Sequence, residues 1–144
     1  MSLHEKMNRY LANQQVSYIK LHNLHWYVEG SSFFTLHPKL EELYDQTAEI
    51  IDEVAERLLA MGHKPVASFK EALALATIKE LESKPISGKD VLSNLEKDVD
   101  WWVKDTKELI ALAEKEGDVV SADIFTGYLK EYEKLNWMLK AYSK

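Results

Sequence analysis

Almost nothing in this chain stops a helix. Glycine stands only at 30, 62, 88, 117 and 127 and proline only at 38, 65 and 85, while Leu, Ala, Glu and Lys, which lose little on entering a helix, dominate the stretches between. An all-α chain follows. Leu3, Met7, Leu11, Tyr18, Leu21 and His25 recur at threes, fours and sevens and share one face of a first helix, which begins almost at Met1 and ends near Gly30. After the turn, Thr35 reads as an N-cap and Pro38 as a first-turn proline, whose missing N–H has no partner there anyway. The second helix uses Leu40, Leu43, Ile50, Val54 and Leu58 and stops at Gly62.

Between Gly62 and Ser87, Pro65 and Pro85 forbid continuous helix, yet Ser68-Phe69-Lys70-Glu71 reads as a capping box opening a short helix through Ala76. A third long helix starts near Ser87, uses Val91, Leu95, Trp102 and Leu109, and stops at Gly117. The fourth follows at once through Ile124, Tyr128, Leu135, Leu139 and Tyr142. A crossover of roughly 25 residues can traverse a helix of about 40 Å, so the second and third long helices can run parallel. With 144 residues, 46% of them hydrophobic, a single domain spanning 1–144 is expected: a four-helix bundle with one long crossover.

The chain has no cysteine, so a disulfide frame, a thiolate metal site and a cysteine nucleophile are excluded, and any metal is held by His and carboxylates. The stretch from Met1 to Tyr10 has no apolar run, which predicts neither a signal peptide nor a membrane span and a cytoplasmic protein. A net charge of −6 weighs against the broad basic surface that phosphate binding needs.

The second helix gathers the metal-ligand chemistry. With His37 as origin and about 100° per residue, Glu41 falls near 40°, Asp52 near 60° and Glu56 near 100°, one broad stripe. The short first turn can bring His25 near His37, so His25, His37 and Glu41 can form one cluster. Asp52 lies about 22 Å along the helix from His37, too far to share an ion within one chain. If two copies pack antiparallel about a two-fold axis near Gln46 and Thr47, His37 and Glu41 of one approach Asp52 and Glu56 of the other, giving two composite sites per dimer. Imidazole with carboxylate oxygen suits Fe(II), with zinc or manganese as competitors. No Glu-x-x-His occurs, which disfavours an intrachain di-iron site.

His25-Trp26-Tyr27-Val28-Glu29-Gly30, Phe33-Phe34-Thr35-Leu36-His37, Glu41-Glu42-Leu43-Tyr44-Asp45 and Asp52-Glu53-Val54-Ala55-Glu56-Arg57 resemble the signature of the Dps family. The resemblance is detailed from about Lys20 to Gly62 and looser over the rest of the chain. The fold it implies is all-α, a ferritin-like four-helix bundle with a long B–C crossover containing a short helix. It implies a homo-oligomer, a hollow dodecameric shell, with a di-iron ferroxidase site at each two-fold subunit interface. His25, His37 and Glu41 would come from one subunit and Asp52 and Glu56 from its partner, all five as metal-binding and catalytic residues. The implied activity is Fe(II) oxidation, preferably by hydrogen peroxide rather than oxygen, with storage of the ferric mineral and protection against oxidative damage.

Other residues have weaker readings. Trp26 reads as a neighbouring electron donor or as packing, and His22 as a supporting group behind the ligands. Asp118 and Asp123 match positions where family members line three-fold pores, with an N-cap and an exposed acid as the alternative. His4 and His63 have no partner pattern and read as surface residues, and Trp101 and Trp102 as core or interface. Some family members bind DNA through a Lys-rich terminal extension; none is visible here, so weak or absent DNA binding is expected. The rival readings are a nucleoid-associated, DNA-protecting protein with secondary ferroxidase activity, and a helical structural or signalling bundle.

Overall fold

The computed structural model describes Met1–Lys144. Its elements run α1 (Leu3–Tyr27), β1 (Val28–Glu29), α2 (Phe33–Ala60), α3 (Phe69–Leu75), β2 (Ile86–Ser87), α4 (Gly88–Lys115) and α5 (Val119–Tyr142). Two compact units divide the chain within α4, Met1–Val91 and Leu92–Lys144.

In the first unit α1 packs against both α2 and α3. It therefore buries more than one face: Met7, Tyr10, Leu11 and Leu24 are fully inside, and so are the polar Asn13 and Gln14. α2 buries a single stripe, Leu36, Leu40, Leu43, Thr47, Val54 and Leu58. Ser2 caps α1, its Oγ accepting the Glu5 N–H at 3.3 Å. Ser68 caps α3 as the sequence suggests, with Glu71 donating its N–H to the Ser68 Oγ at 3.2 Å and accepting the Ser68 hydroxyl at 2.8 Å.

The crossover is long and mostly irregular, so its backbone polar groups need partners from elsewhere. Carboxamides of α1 supply them. Asn8 donates to the Lys64 carbonyl at 3.0 Å and accepts the Val66 N–H at 2.9 Å, and Gln15 donates to the Val66 carbonyl at 3.0 Å. The Asn13 Oδ1 accepts from Thr77 and Ile78 N–H, both at 2.8 Å, while its Nδ2 donates to the Thr77 Oγ1 at 3.1 Å. Asn23 donates to the Glu82 carbonyl at 3.0 Å. The end of the crossover then pairs as a parallel strand with the α1–α2 turn, Val28 opposite Ile86 and Glu29 opposite Ser87.

Three readings of the sequence are corrected or refined here. The first is the start of the second helix. Thr35 is not an N-cap: Leu36 N–H reaches the Ser32 carbonyl at 2.8 Å, so α2 begins at Phe33. Pro38 consequently sits beyond the first turn, where its missing N–H leaves the Phe34 carbonyl without its helical donor. Second, the two-residue strands β1 and β2 join the helices, which leaves the all-α class unchanged; strands so short carry no periodicity to read. Third, His4 and His63 are not unpartnered. Gly62 takes a left-handed φ of 85°, and the His63 N–H turns back to the Leu58 carbonyl at 2.9 Å. That carries the His63 ring onto His4 of α1, centroids 3.8 Å apart and planes 11° from parallel.

The second unit is an antiparallel pair. Gly117, at φ 74°, ends α4, and the Asp118 N–H returns to the Ala113 carbonyl at 2.8 Å. Asp118 then opens α5, its Oδ1 accepting the Ser121 N–H at 3.0 Å and its Oδ2 the Ser121 hydroxyl at 2.6 Å. Trp102 of α4 stacks on Tyr132 of α5 at 5.6 Å and 6°, and Asp100 takes both Asn136 at 3.1 Å and Lys140 at 3.3 Å. No helix in the chain is long and apolar enough to cross a membrane.

Candidate metal centre

The candidate centre lies in the first unit, where α1 turns into α2. His25 is in the last turn of α1 and His37 in the early part of α2. The turn between them is pinned by the β1–β2 pairing and by Gly88, where a Cβ would come within 3.1 Å of the Ser32 Cβ. Fixing the turn fixes how the two imidazoles meet.

They meet reciprocally. The His25 Nδ1 lies 2.6 Å from the His37 carbonyl oxygen, and the His37 Nδ1 lies 2.7 Å from the His25 carbonyl oxygen. A carbonyl oxygen only accepts, so both Nδ1 atoms carry a proton, and Nε2 is the ring nitrogen each histidine has left for a ligand. Donation of one ring N–H to a backbone carbonyl is how metal-binding histidines are commonly oriented, with the other nitrogen as the ligand. The rings stack at 3.7 Å and 12°, with Phe33 stacked on the outer face of His37 at 4.8 Å. His25 is buried, and its Nε2 faces the Glu41 Oε1 at 3.9 Å. Glu41 itself is 57% exposed, so the centre has one wall of protein and one open side.

Of the five expected ligands, the structure stacks His25 on His37 and sets Glu41 3.9 Å from the His25 Nε2. It does not bring Asp52 and Glu56 to them. Both are exposed further along the same helix, and within one chain no three His, Asp or Glu side chains converge well enough to hold a metal ion.

Tyr44 and His22 belong to the surroundings. Tyr44 lies one turn after Glu41 on the same helix. Burial first, then the negative charges of Glu41 and Asp45, raise the phenol above its ordinary pKa, so it stays protonated. His22 stacks on Tyr44 at 3.8 Å and 19°. Tyr44 has no role in the sequence reading; its spacing of three from Glu41 is the signal that could have found it. Trp26, 61% exposed, leans on His22 at 5.2 Å.

Comparison with known proteins decides the family. A family model described as a ferritin-like domain matches residues 4–144. General stress protein 20U of Bacillus subtilis is 43% identical over 138 residues, covering 96% of this chain and 94% of that one. DNA protection during starvation protein 2 of Bacillus anthracis is 41% identical over 138 residues, with coverage of 96% and 94%. The crystal structure of Dps from Staphylococcus aureus superposes with a TM-score of 0.94 at 40% identity, over 99% of this chain and 95% of that one. The chain belongs to the Dps family of ferritin-like proteins. The crystal structure of Helicobacter cinaedi CAIP, with a TM-score of 0.96 at 34% identity and coverage of 99% and 100%, has the same fold. The expected fold class therefore holds for this Dps-family chain: ferritin-like and all-α, with four long helices and a short one in the crossover.

Proposed function

We propose that this Dps-family protein is a ferroxidase and iron-storage protein whose catalytic sites are each built by two subunits. The observation that carries the reading is the reciprocal His25–His37 pair, which holds both rings by Nδ1 and sets the His25 Nε2 3.9 Å from the Glu41 carboxylate. This donor set fits Fe(II), an ion that accepts imidazole nitrogen and carboxylate oxygen alike.

The missing oxygen ligands are sought on a second copy. His37 and Glu56 lie symmetrically about the bond between Gln46 and Thr47, and so do Glu41 and Asp52. The exposed apolar residues Phe34 and Leu59 share that midpoint. A two-fold axis there, relating antiparallel copies of α2, sets His37 opposite the partner subunit's Glu56 and Glu41 opposite the partner subunit's Asp52. It also covers Phe34 with the partner subunit's Leu59. Chemistry and hydrophobic burial point to the same axis.

Fe(II) is the substrate. Two ferrous ions each give up one electron to hydrogen peroxide. The O–O bond breaks, two protons are taken up, and two waters leave. Because both electrons come from one site, no hydroxyl radical is released. His25 and His37 would hold ions through Nε2 while their Nδ1–H groups donate to the backbone carbonyls, and the carboxylates would offset the growing positive charge. The product ferric ions pass to a mineral kept inside a dodecameric shell in the cytoplasm.

The test is anaerobic Fe(II) loading followed by peroxide, with rate, consumption and particle mass measured on one sample. The reading expects about two Fe(II) oxidised per peroxide in a particle of about twelve chains, with iron kept soluble. A monomer that leaves Fe(II) untouched contradicts it. Protection of DNA by direct binding is the second reading, because relatives carry the name DNA protection during starvation protein. The charge of −6 predicts weak binding at physiological salt, and a gel shift surviving there would favour that reading instead.

A further inference from the structure

We propose that Phe33 is a positioning residue of the metal centre: its ring, stacked on the outer face of His37, fixes the plane of that imidazole and so the direction in which the His37 Nε2 meets an ion. The inference rests on the ferroxidase reading, and the measurements below separate the two.

The two imidazoles are held unequally. His25 is buried, and besides stacking on His37 its ring meets Tyr44 edge-on at 5.3 Å and 86°. His37 is only half-buried. Its Nδ1 bond to the His25 carbonyl, 2.7 Å long, fixes one ring atom and leaves the ring able to swing about that point. The last torsion of a histidine side chain has no sharp preference of its own, so what touches the ring faces must set the plane. For His37 those contacts are His25 on one face, at 3.7 Å and 12°, and Phe33 on the other, at 4.8 Å and 20°. With both faces covered and Nδ1 pinned, the Nε2 has one direction left.

Phe33 reaches that face because α2 starts at Phe33 and not two residues later. Residues 33 and 37 are then i and i+4, one turn apart on the same side of the helix. Phe33 is itself anchored. Its N–H donates to the Gly30 carbonyl at 3.1 Å, and the Phe34 ring meets it edge-on at 5.6 Å and 75°. A phenyl ring also brings its own electrostatics to the contact. Its face is negative, so the stack strengthens when an ion on Nε2 draws electron density out of the imidazole. Phe33 therefore favours the metal-bound ring over the free one, in addition to keeping it in plane.

Co(II) is the probe, because it accepts the same nitrogen and oxygen donors as Fe(II) and its visible absorption reads binding without turnover. Phe33→Leu keeps an apolar side chain and a good helix former but has no flat face. In the assembled protein it should weaken Co(II) binding and raise the KM for Fe(II), each by about threefold to tenfold, the worth of one ring pair. The kcat should stay within about twofold, the pattern of lost binding rather than lost chemistry. Phe33→Tyr and Phe33→Trp keep a ring and should bind Co(II) within about twofold of wild type. Particle mass and helix content should be the same in all three. In a His37→Ala background Phe33→Leu should add nothing, because the ring it positions is gone, whereas a general loosening of the turn would add in full. Wild-type Co(II) affinity in Phe33→Leu, an equal loss in Phe33→Tyr, or losses that add to His37→Ala would overturn the positioning role and leave the ferroxidase reading standing. Co(II) binding that depends on Phe33 in a protein that leaves Fe(II) unoxidised would overturn the ferroxidase reading alone.

Discussion

At the residue scale the centre is organised by two hydrogen bonds that run from side chain to backbone. Each imidazole donates to the other histidine's carbonyl, not to its ring. A side-chain substitution at one position therefore leaves the other's hydrogen-bond acceptor in place. His25→Ala and His37→Ala should each weaken anaerobic Fe(II) binding by about tenfold to a hundredfold, in line with losing one ligand. The double variant should lose binding altogether, and titration calorimetry checks all three. Loss of all binding in either single variant would show that the rings support one another rather than being held by the backbone. That His25 comes near His37 and Glu41 was legible in the sequence, from spacing and the short turn. The reciprocal bonds and the Tyr44–His22 stack were not, because spacing gives the face of a helix but not the rotamers that ring contacts select.

At the element scale, the four long helices were readable because glycine and proline punctuate a strongly periodic chain. The connection between α2 and α4 was readable only as a break containing a short helix. What orders it is a row of α1 carboxamides, and an asparagine inside a helix looks in sequence like a surface residue. Asn13 is the clearest case, buried and bonded three times to Thr77 and Ile78. Asn13→Leu should destabilise the protein by about 1–3 kcal/mol, since the Thr77 and Ile78 N–H groups lose their acceptor in a part-buried position. Thermal unfolding at fixed protein concentration measures this, and a midpoint unchanged from wild type would contradict the account. Gly88 bears on the site through the same connection. A methyl there meets Ser32 at 3.1 Å and the Leu36 Cδ1 at 3.4 Å, so Gly88→Ala should push the turn that sets His25 against His37. Fe(II) oxidation should slow several-fold in Gly88→Ala while helix content by circular dichroism is unchanged.

At the scale of the whole molecule, one chain carries the two complementary halves of the proposed site, one for each of two sites: imidazoles and Glu41 near one end of α2, Asp52 and Glu56 toward the other. The separation was legible as helix length alone, about 16 Å between Glu41 and Asp52 at 1.5 Å per residue. The apolar side chains left exposed, Phe34 at 89% and Leu59 at 59% of α2 among them, could not be told from core residues by periodicity. They mark α2 as a surface that a second copy should cover. Complementation between subunits tests this most directly. One chain would carry His25→Gly, His37→Gly and Glu41→Gln, another Asp52→Asn and Glu56→Gln, and the two would be assembled separately and together. Each alone should oxidise Fe(II) no faster than buffer. Mixed randomly, half the dimers contain both chains, and each of those rebuilds one complete site of two, so about a quarter of wild-type activity should return. A mixture as inactive as its parents, or a parent that keeps the wild-type rate, would contradict a site shared between two subunits.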